Sequence, residues 1–287
     1  MITLVESGSK RIGRNVFTTP ATILAAFGEE LGYSDIEEGL YLFEPEDQKK
    51  ILAGTKQRQF HFWNDIRTVE YYRDVHWQLP GMKEHAHETI QSLDVEEQQT
   101  IVDLGCGWGR VAEQLLKMKI NFTYIGIDFS DEMLKLARGE VEQRGDGRVN
   151  FKNHDLSQGI PLDNDCADRI LANWGIVYFP QEELKQALAE VNRVLKPGGL
   201  FICAAIVEGA NFFLLALRYL PALINPKTRR IIKKGMRFGA RIKKLFPLYA
   251  KEQLELMIKE AGGLEIIDVY PTIKGRSVTI VAQKPAH

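Results

Sequence analysis

The sequence predicts an α/β protein built on a mostly parallel sheet, and three observations carry that reading. From Ile101 onwards short β-rich runs alternate with helical patterns, as they do where each strand is followed by a crossover helix. A glycine-rich turn, Gly105-Cys106-Gly107-Trp108-Gly109, joins the first run to the helix after it. Polar or acidic residues then stand at the ends of the next three runs, at Asp128, Asp155 and Asn173. Ligands bind at such strand ends in open α/β sheets.

Seven strands are expected: Ile101–Leu104, Thr123–Ile127, Val149–Lys152, Asp168–Ala172, Leu200–Ala205, Leu264–Val269 and Ser277–Gln283. Helices are expected over Arg110–Lys117, Asp131–Gln143, Gln181–Leu195 and Glu252–Ala261. Ser130 ahead of Asp131 and Glu132 supplies a polar cap and early negative charge to the second of these. Lys196-Pro197-Gly198-Gly199 ends the third and turns the chain into the next strand. Residues 1–95 read as a helical extension, with helices from Thr19-Pro20 to Glu30 and over Glu46–Asp65. Six aromatic rings between Phe60 and Trp77 (Phe60, Phe62, Trp63, Tyr71, Tyr72, Trp77) mark a packing surface, some of it facing a ligand.

A chain of 287 residues, 45% apolar and 26% charged, has the mix of a globular protein rather than a disordered, collagenous or disulfide-dense one. No apolar run approaches the ~20 residues that span a bilayer, and residues 1–10 lack a secretory leader pattern. Cys106, Cys166 and Cys203 are odd in number and lack metal-ligand spacing, so no metal site is expected and a reducing cytoplasm is. Net charge is −1, but it is unevenly divided: Gly209 to Lys251 carries eleven Lys and Arg and no acid, leaving 26 basic against 38 acidic side chains elsewhere.

Glycines at 105, 107 and 109 permit a tight turn and let a ligand approach the backbone, beside the free amides of a helix start. A dinucleotide fingerprint needs glycine at 110, where Arg110 stands, and a P-loop needs a Lys-Ser/Thr pair that is absent. Neither phosphate reading fits. Asp128 can accept both hydroxyls of a ribose, Phe129 can cover an adenine face, and Asp155 can accept from an exocyclic amine.

These residues, with Met133-Leu134, Ala137-Arg138 and the run Asn192-Arg193-Val194-Leu195-Lys196-Pro197-Gly198-Gly199, resemble the class I S-adenosylmethionine-dependent methyltransferases, in particular the small-molecule group. The resemblance covers Ile101 to Ala205 and implies a doubly wound, Rossmann-like methyltransferase fold. It implies that Asp103 orients the methionyl amine and that Gly105, Cys106, Gly107 and Gly109 lie against the methionyl part. It further implies that Asp128 holds the ribose, that Phe129 and Met133 flank adenine, and that Asp155 with Leu156 reads its edge. Asn173 and Trp174 would contact the methionyl end and face the acceptor. The implied reaction is in-line attack of an acceptor atom on the sulfonium methyl, leaving S-adenosylhomocysteine. Positioning and water exclusion supply much of such catalysis, so the motif demands no single base. Candidates for proton removal are Tyr72, His76, His85 and His87 ahead of the first strand, and Tyr178 and Glu208 beyond later ones.

Residues 96–208 thus form the cofactor core, residues 251–287 complete it, and residues 209–250 are an insertion longer than a crossover needs. Its first part, Asn211–Ile224, is apolar; its second sets Ile231, Phe238, Ile242, Leu245 and Phe246 on one helical stripe, opposite Arg230, Lys233, Lys234, Arg237, Arg241 and Lys244. A lid over the substrate, a helix lying on anionic lipid, and a patch for an anionic acceptor all fit this pattern. Nucleic acid is disfavoured by the acidic remainder. The expected function is methylation of a hydrophobic or amphiphilic small molecule such as a lipid, quinone, isoprenoid or polyketide-like metabolite. A protein methyltransferase and a non-catalytic cofactor-binding module are the alternatives.

Overall fold

The computed structural model describes residues 4–5, 9–12, 15–17, 19–27, 29, 31–39, 43–79, 81–207 and 226–286. Glu208 and the apolar stretch Asn211–Ile224 lie outside the described residues. The chain begins with a small antiparallel sheet of β1 (Leu4–Val5), β2 (Ser9–Ile12) and β3 (Asn15–Phe17). This sheet precedes the helices of the extension and is not among the expected elements, because strands this short display no period-two alternation to read. Five helices follow: α1 (Pro20–Ala26), α2 (Tyr33–Gly39), α3 (Pro45–Asn64), α4 (Ile66–Asp74) and α5 (Met82–Ser92). Thr19 caps α1, accepting from the Thr22 amide at 3.3 Å, with Pro20 in the first turn. That helix stops before the expected Glu30 because Phe27 turns to an extended backbone and buries its ring completely.

The seven expected strands are β4 (Gln99–Leu104), β5 (Phe122–Asp128), β6 (Val149–Asn153), β7 (Ala167–Asn173), β8 (Leu195–Ile206), β9 (Glu265–Thr272) and β10 (Ser277–Gln283). They form one sheet in the order β6-β5-β4-β7-β8-β10-β9, with β10 antiparallel to both neighbours. After β4 the chain winds outward through β5 and β6, then returns to lay β7 and β8 on β4's other side. The topological switch, and with it the ligand crevice, therefore falls between β4 and β7.

Alternation along each strand feeds two buried layers. Val102, Ile170 and Phe201 meet α8 (Gln181–Val194) and α10 (Lys251–Glu260), whose Leu184, Leu188, Val191 and Leu254 face them. Ile101, Leu171 and Ile202 point the other way, toward Val111 and Leu115 of α6 (Arg110–Leu115) and Leu134 of α7 (Asp131–Glu140). Each such aliphatic side chain contributes about 1.5–3 kcal/mol on burial.

Lys196-Pro197-Gly198-Gly199 lies within β8 rather than in a turn before it. The register slips here, pairing Leu195 with Ala167 but Leu200 with Arg169, and Gly198 takes up the extra length at φ +78°. The basic helix α9 (Pro226–Leu245) buries Ile242 and Leu245, followed by Phe246, as its stripe predicts; Ile232 is buried more fully than the expected Ile231. No described helix is long and apolar enough to cross a membrane.

Candidate cofactor and acceptor site

The glycine turn after β4 is folded back on β5: the amides of Gly105 and Cys106 both donate to the Ile127 carbonyl, at 2.8 and 3.1 Å. Gly105, Gly107 and Gly109 all lie at positive φ, which costs glycine little and other residues much. Across the switch point, Gly105 touches the backbone of Gly175, just beyond β7. A Cβ built on Gly175 would stand 2.1 Å from the Leu104 carbonyl oxygen, and one on Gly105 2.6 Å from the Gly175 Cα. No side chain fits between these segments.

Beside this contact lies a cavity of about 690 Å³, within the usual range for small-molecule sites. It gathers most of the residues expected at the site: Gly105, Gly107, Asp128, Phe129, Met133, Asp155, Leu156, Asn173 and Trp174 line it. Asp128 is only 9% exposed, yet it is well held: Oδ2 accepts from the Gly107 amide at 2.8 Å and Oδ1 from the Ser130 amide at 2.9 Å. Burial still pushes this carboxyl above the ordinary carboxylate range. Asp155 accepts from the Ser157 amide at 3.0 Å and lies 3.9 Å from Lys56 Nζ.

Asp103, Cys106 and Gly109 do not line the cavity; they stand behind it. Asp103 is 2% exposed and accepts from the Tyr124 hydroxyl at 2.6 Å. Burial, reinforced by the nearby Asp128 carboxylate, pushes Asp103 up to about 7. Cys106 is buried in the layer around α6 and α7, where burial pushes its thiol well up. At Gly109, which precedes α6, a Cβ would meet the Phe151 ring at 2.7 Å.

The candidate proton acceptors separate as clearly. Tyr72 and Tyr178 line the cavity, and burial raises both phenols. His76 sits behind Tyr72, stacked on it at 4.3 Å, and burial drives its imidazole down to about 3. His85 is buried and reaches Asn173 rather than the cavity. His87 is exposed on α5 and lies outside the cavity lining.

The N-terminal helices supply Lys56, which no local motif marks, and three rings of the aromatic stretch, Phe60, Trp63 and Tyr72, all lining the cavity. From α3, Lys56 reaches Ser157 Oγ at 2.7 Å and Glu183 at 3.3 Å, while Phe60 stacks on Phe129 at 5.2 Å. The Trp63 carbonyl accepts from the Ser130 hydroxyl at 2.9 Å, tying the end of α3 to the cap of α7. Trp63, Tyr72, Trp174, Tyr178 and Phe246 together give the cavity an aromatic wall, with Phe246 arriving from just beyond α9.

A sheet of this order, with a glycine turn and a buried carboxylate at its carboxyl edge, defines a Rossmann-like methyltransferase fold. Residues 101–199 match the family model described as a methyltransferase domain. The chain is 29% identical over 154 residues to the methyltransferase GfsG of Streptomyces halstedii, covering 53% of this chain and 52% of that protein. It is 23% identical to the demethylmenaquinone methyltransferase of Geobacillus kaustophilus, covering 72% of this chain and 85% of that one. The chain spans about half the length of the first curated relatives it matches. Its fold resembles that of Haemonchus contortus phosphoethanolamine N-methyltransferase 2, solved with S-adenosyl-L-methionine, at a TM-score of 0.57 and 16% identity, covering 78% of this chain and 59% of that one.

The raised Asp103 sets a pH dependence. Between about 4, where an unfolded aspartate ionises, and about 7, where the folded one does, the native state keeps a proton that the unfolded state loses. Stability should therefore fall as pH rises through that window and level off above it. Asp103→Asn keeps an acceptor for Tyr124 and removes this titration. Urea unfolding at pH 5 and 7.5 should show a smaller loss in the variant than in the parent; parallel losses would contradict it.

Proposed function

We propose that this chain transfers the methyl group of S-adenosylmethionine to an apolar or amphiphilic small molecule. The observation that carries the proposal is that the buried, doubly bonded Asp128 carboxylate and the aromatic wall open into one cavity. Asp128 keeps lone pairs for the ribose hydroxyls, and the open side of Gly107, where a Cβ would meet only Met133 Sδ at 3.9 Å, leaves room against the turn. Phe129, Met133 and Leu156 supply flat and apolar walls for adenine, and Asp155 an acceptor at its edge. Bound there, S-adenosylmethionine supplies an electrophilic methyl on a positively charged sulfur.

The chain's part is to orient the acceptor and exclude water. Among the described cavity residues the phenols are raised, and the low-shifted His76 is a weak proton acceptor set behind the wall. An acceptor that is a nucleophile in its own right, an ionised oxygen, an amine lone pair or an electron-rich carbon, needs no proton removed by these groups. Relatives named for demethylmenaquinone favour a quinone-like ring against the aromatic wall.

The inserted helix α9 supports delivery from a membrane. Lys233, Lys234, Arg237 and Arg241 are exposed, no acidic residue lies on the helix, and its inner side ends at the cavity wall with Phe246. A basic outer face suits anionic lipid headgroups, and an apolar acceptor partitions into the same bilayer.

Asp128→Ala should weaken S-adenosylhomocysteine binding by about 1.5–3 kcal/mol, the size of a hydrogen bond to a charged group. Calorimetric titration checks this, and unchanged affinity would remove the proposed cofactor site. Reversing Lys233, Lys234 and Arg237 to Glu should abolish cosedimentation with phosphatidylglycerol vesicles. A parent protein that does not sediment with them would end the membrane reading.

A further inference from the structure

His85 and Asn173 lie 88 positions apart and meet beside the cavity. His85 is 1% exposed, with its ring stacked on Trp174 at 4.5 Å and 10° between planes. Its Nε2 is 2.9 Å from Asn173 Oδ1, and its Nδ1 is buried with no hydrogen-bond partner among the described residues. Burial lowers this imidazole, so the ring is neutral and carries one proton.

That proton has two possible places. On Nε2 it is donated to the Asn173 carbonyl, and Nδ1 is left as an orphaned acceptor. On Nδ1 it becomes an orphaned buried N–H, and Asn173 must turn its amide to donate to Nε2. Buried N–H groups without partners are rarer than under-satisfied acceptors, because each forfeits its single strong bond to water. The first arrangement wins, and it settles the polarity of Asn173. With Oδ1 turned to His85, the group Asn173 turns toward the cavity it lines is its amide NH2.

We propose that His85 is a positioning residue that fixes the amide of Asn173, so that Asn173 donates hydrogen bonds to an oxygen bound at the end of β7. This rests on the reading of the cavity as a cofactor and acceptor site. Two oxygens answer the description, the methionyl carboxylate of the cofactor and a hydroxyl, phenolate or carbonyl oxygen of the acceptor. An ammonium group does not. His85 touches neither ligand, and its effect is transmitted through Asn173.

The tautomer itself is measurable without any ligand. Long-range 1H–15N correlation spectra of the full chain should show His85 protonated on Nε2 and bare on Nδ1, the signal being assigned by its loss in His85→Phe. A proton on Nδ1 would overturn the proposal. Binding is then read by calorimetry with S-adenosylhomocysteine, with its decarboxylated analogue, and with 1-naphthol on the S-adenosylhomocysteine-loaded protein.

Asn173→Asp, which replaces the donor with a carboxylate, should weaken one of these oxygens at least tenfold, and His85→Phe should weaken the same one about threefold to tenfold. Loss with S-adenosylhomocysteine but not with the decarboxylated analogue assigns the oxygen to the cofactor. Loss confined to 1-naphthol assigns it to the acceptor. Affinities for all three probes within twofold of the parent in both variants would overturn the proposal. Should His85→Phe fail to fold, His85→Gln serves for the assignment and Asn173→Asp for the binding test. Failure of the parent to bind S-adenosylhomocysteine would instead count against the cofactor site, since the tautomer is read independently of it.

Discussion

The close approach of Gly105 to Gly175 is the constraint on which the site depends. Two backbone segments, one leaving β4 and one leaving β7, touch at the topological switch, with no space for a methyl group on either. That contact holds the glycine turn against the sheet and directs the chain after β7 over the crevice. Trp174 pays locally for the arrangement, since its φ of +58° is a left-handed conformation that disfavours a bulky residue by about 1–2 kcal/mol. The structure holds it there with a backbone bond to Ala204 at 3.0 Å and an indole bond to Ser277 at 3.2 Å. The indole then serves as the plate on which His85 stacks, so one strained residue links the glycine contact to the polar edge of the cavity.

The N-terminal helices close what the sheet leaves open. Helix α3 crosses one side of the cavity, joined near its middle through Lys56 to Ser157 and Glu183 and near its end through Trp63 to Ser130. Between those ties Phe60 lies 46% exposed against Phe129, at the rim rather than in the core. Phe246, just beyond α9, adds to the aromatic wall. The electrostatics divide accordingly: buried carboxylates belong to the sheet edge, exposed cations to the inserted helix. A cavity walled this way suits chemistry in which water exclusion and orientation supply most of the rate.

Much of this was legible in the chain because it is encoded locally. Strand Ser277–Gln283 appears with the expected bounds, and the other six runs differ by a few residues at their ends, β8 by the most because its register slip absorbs a Pro-Gly-Gly segment that reads as a turn. The glycine turn, Asp128, Phe129, Met133, Asp155, Leu156, Asn173 and Trp174 were legible as a set because each follows a strand, and strand ends on one edge of a parallel sheet converge. Gly175 carried a signal too, a glycine directly after a strand end, but its partner is seventy positions away. The His85–Asn173 pair, the Lys56 ties and the entry of Phe246 arise from packing between distant segments, and neither periodicity nor spacing reports such pairings. His76 and His85 looked like candidate bases for the same reason: composition near a site does not say which side chains face it.

The most direct test of the account is amide hydrogen exchange with and without S-adenosylhomocysteine. A ligand bound as proposed lies on the turn after β4, on the ends of β5 and β7 and under α3. Exchange should therefore slow at Gly105 to Gly109, Phe129 and Ser130, Leu156, Asn173 to Gly175, and along α3 near Lys56 and Phe60. Binding that protects other segments, with these amides exchanging at their unliganded rates, would contradict it.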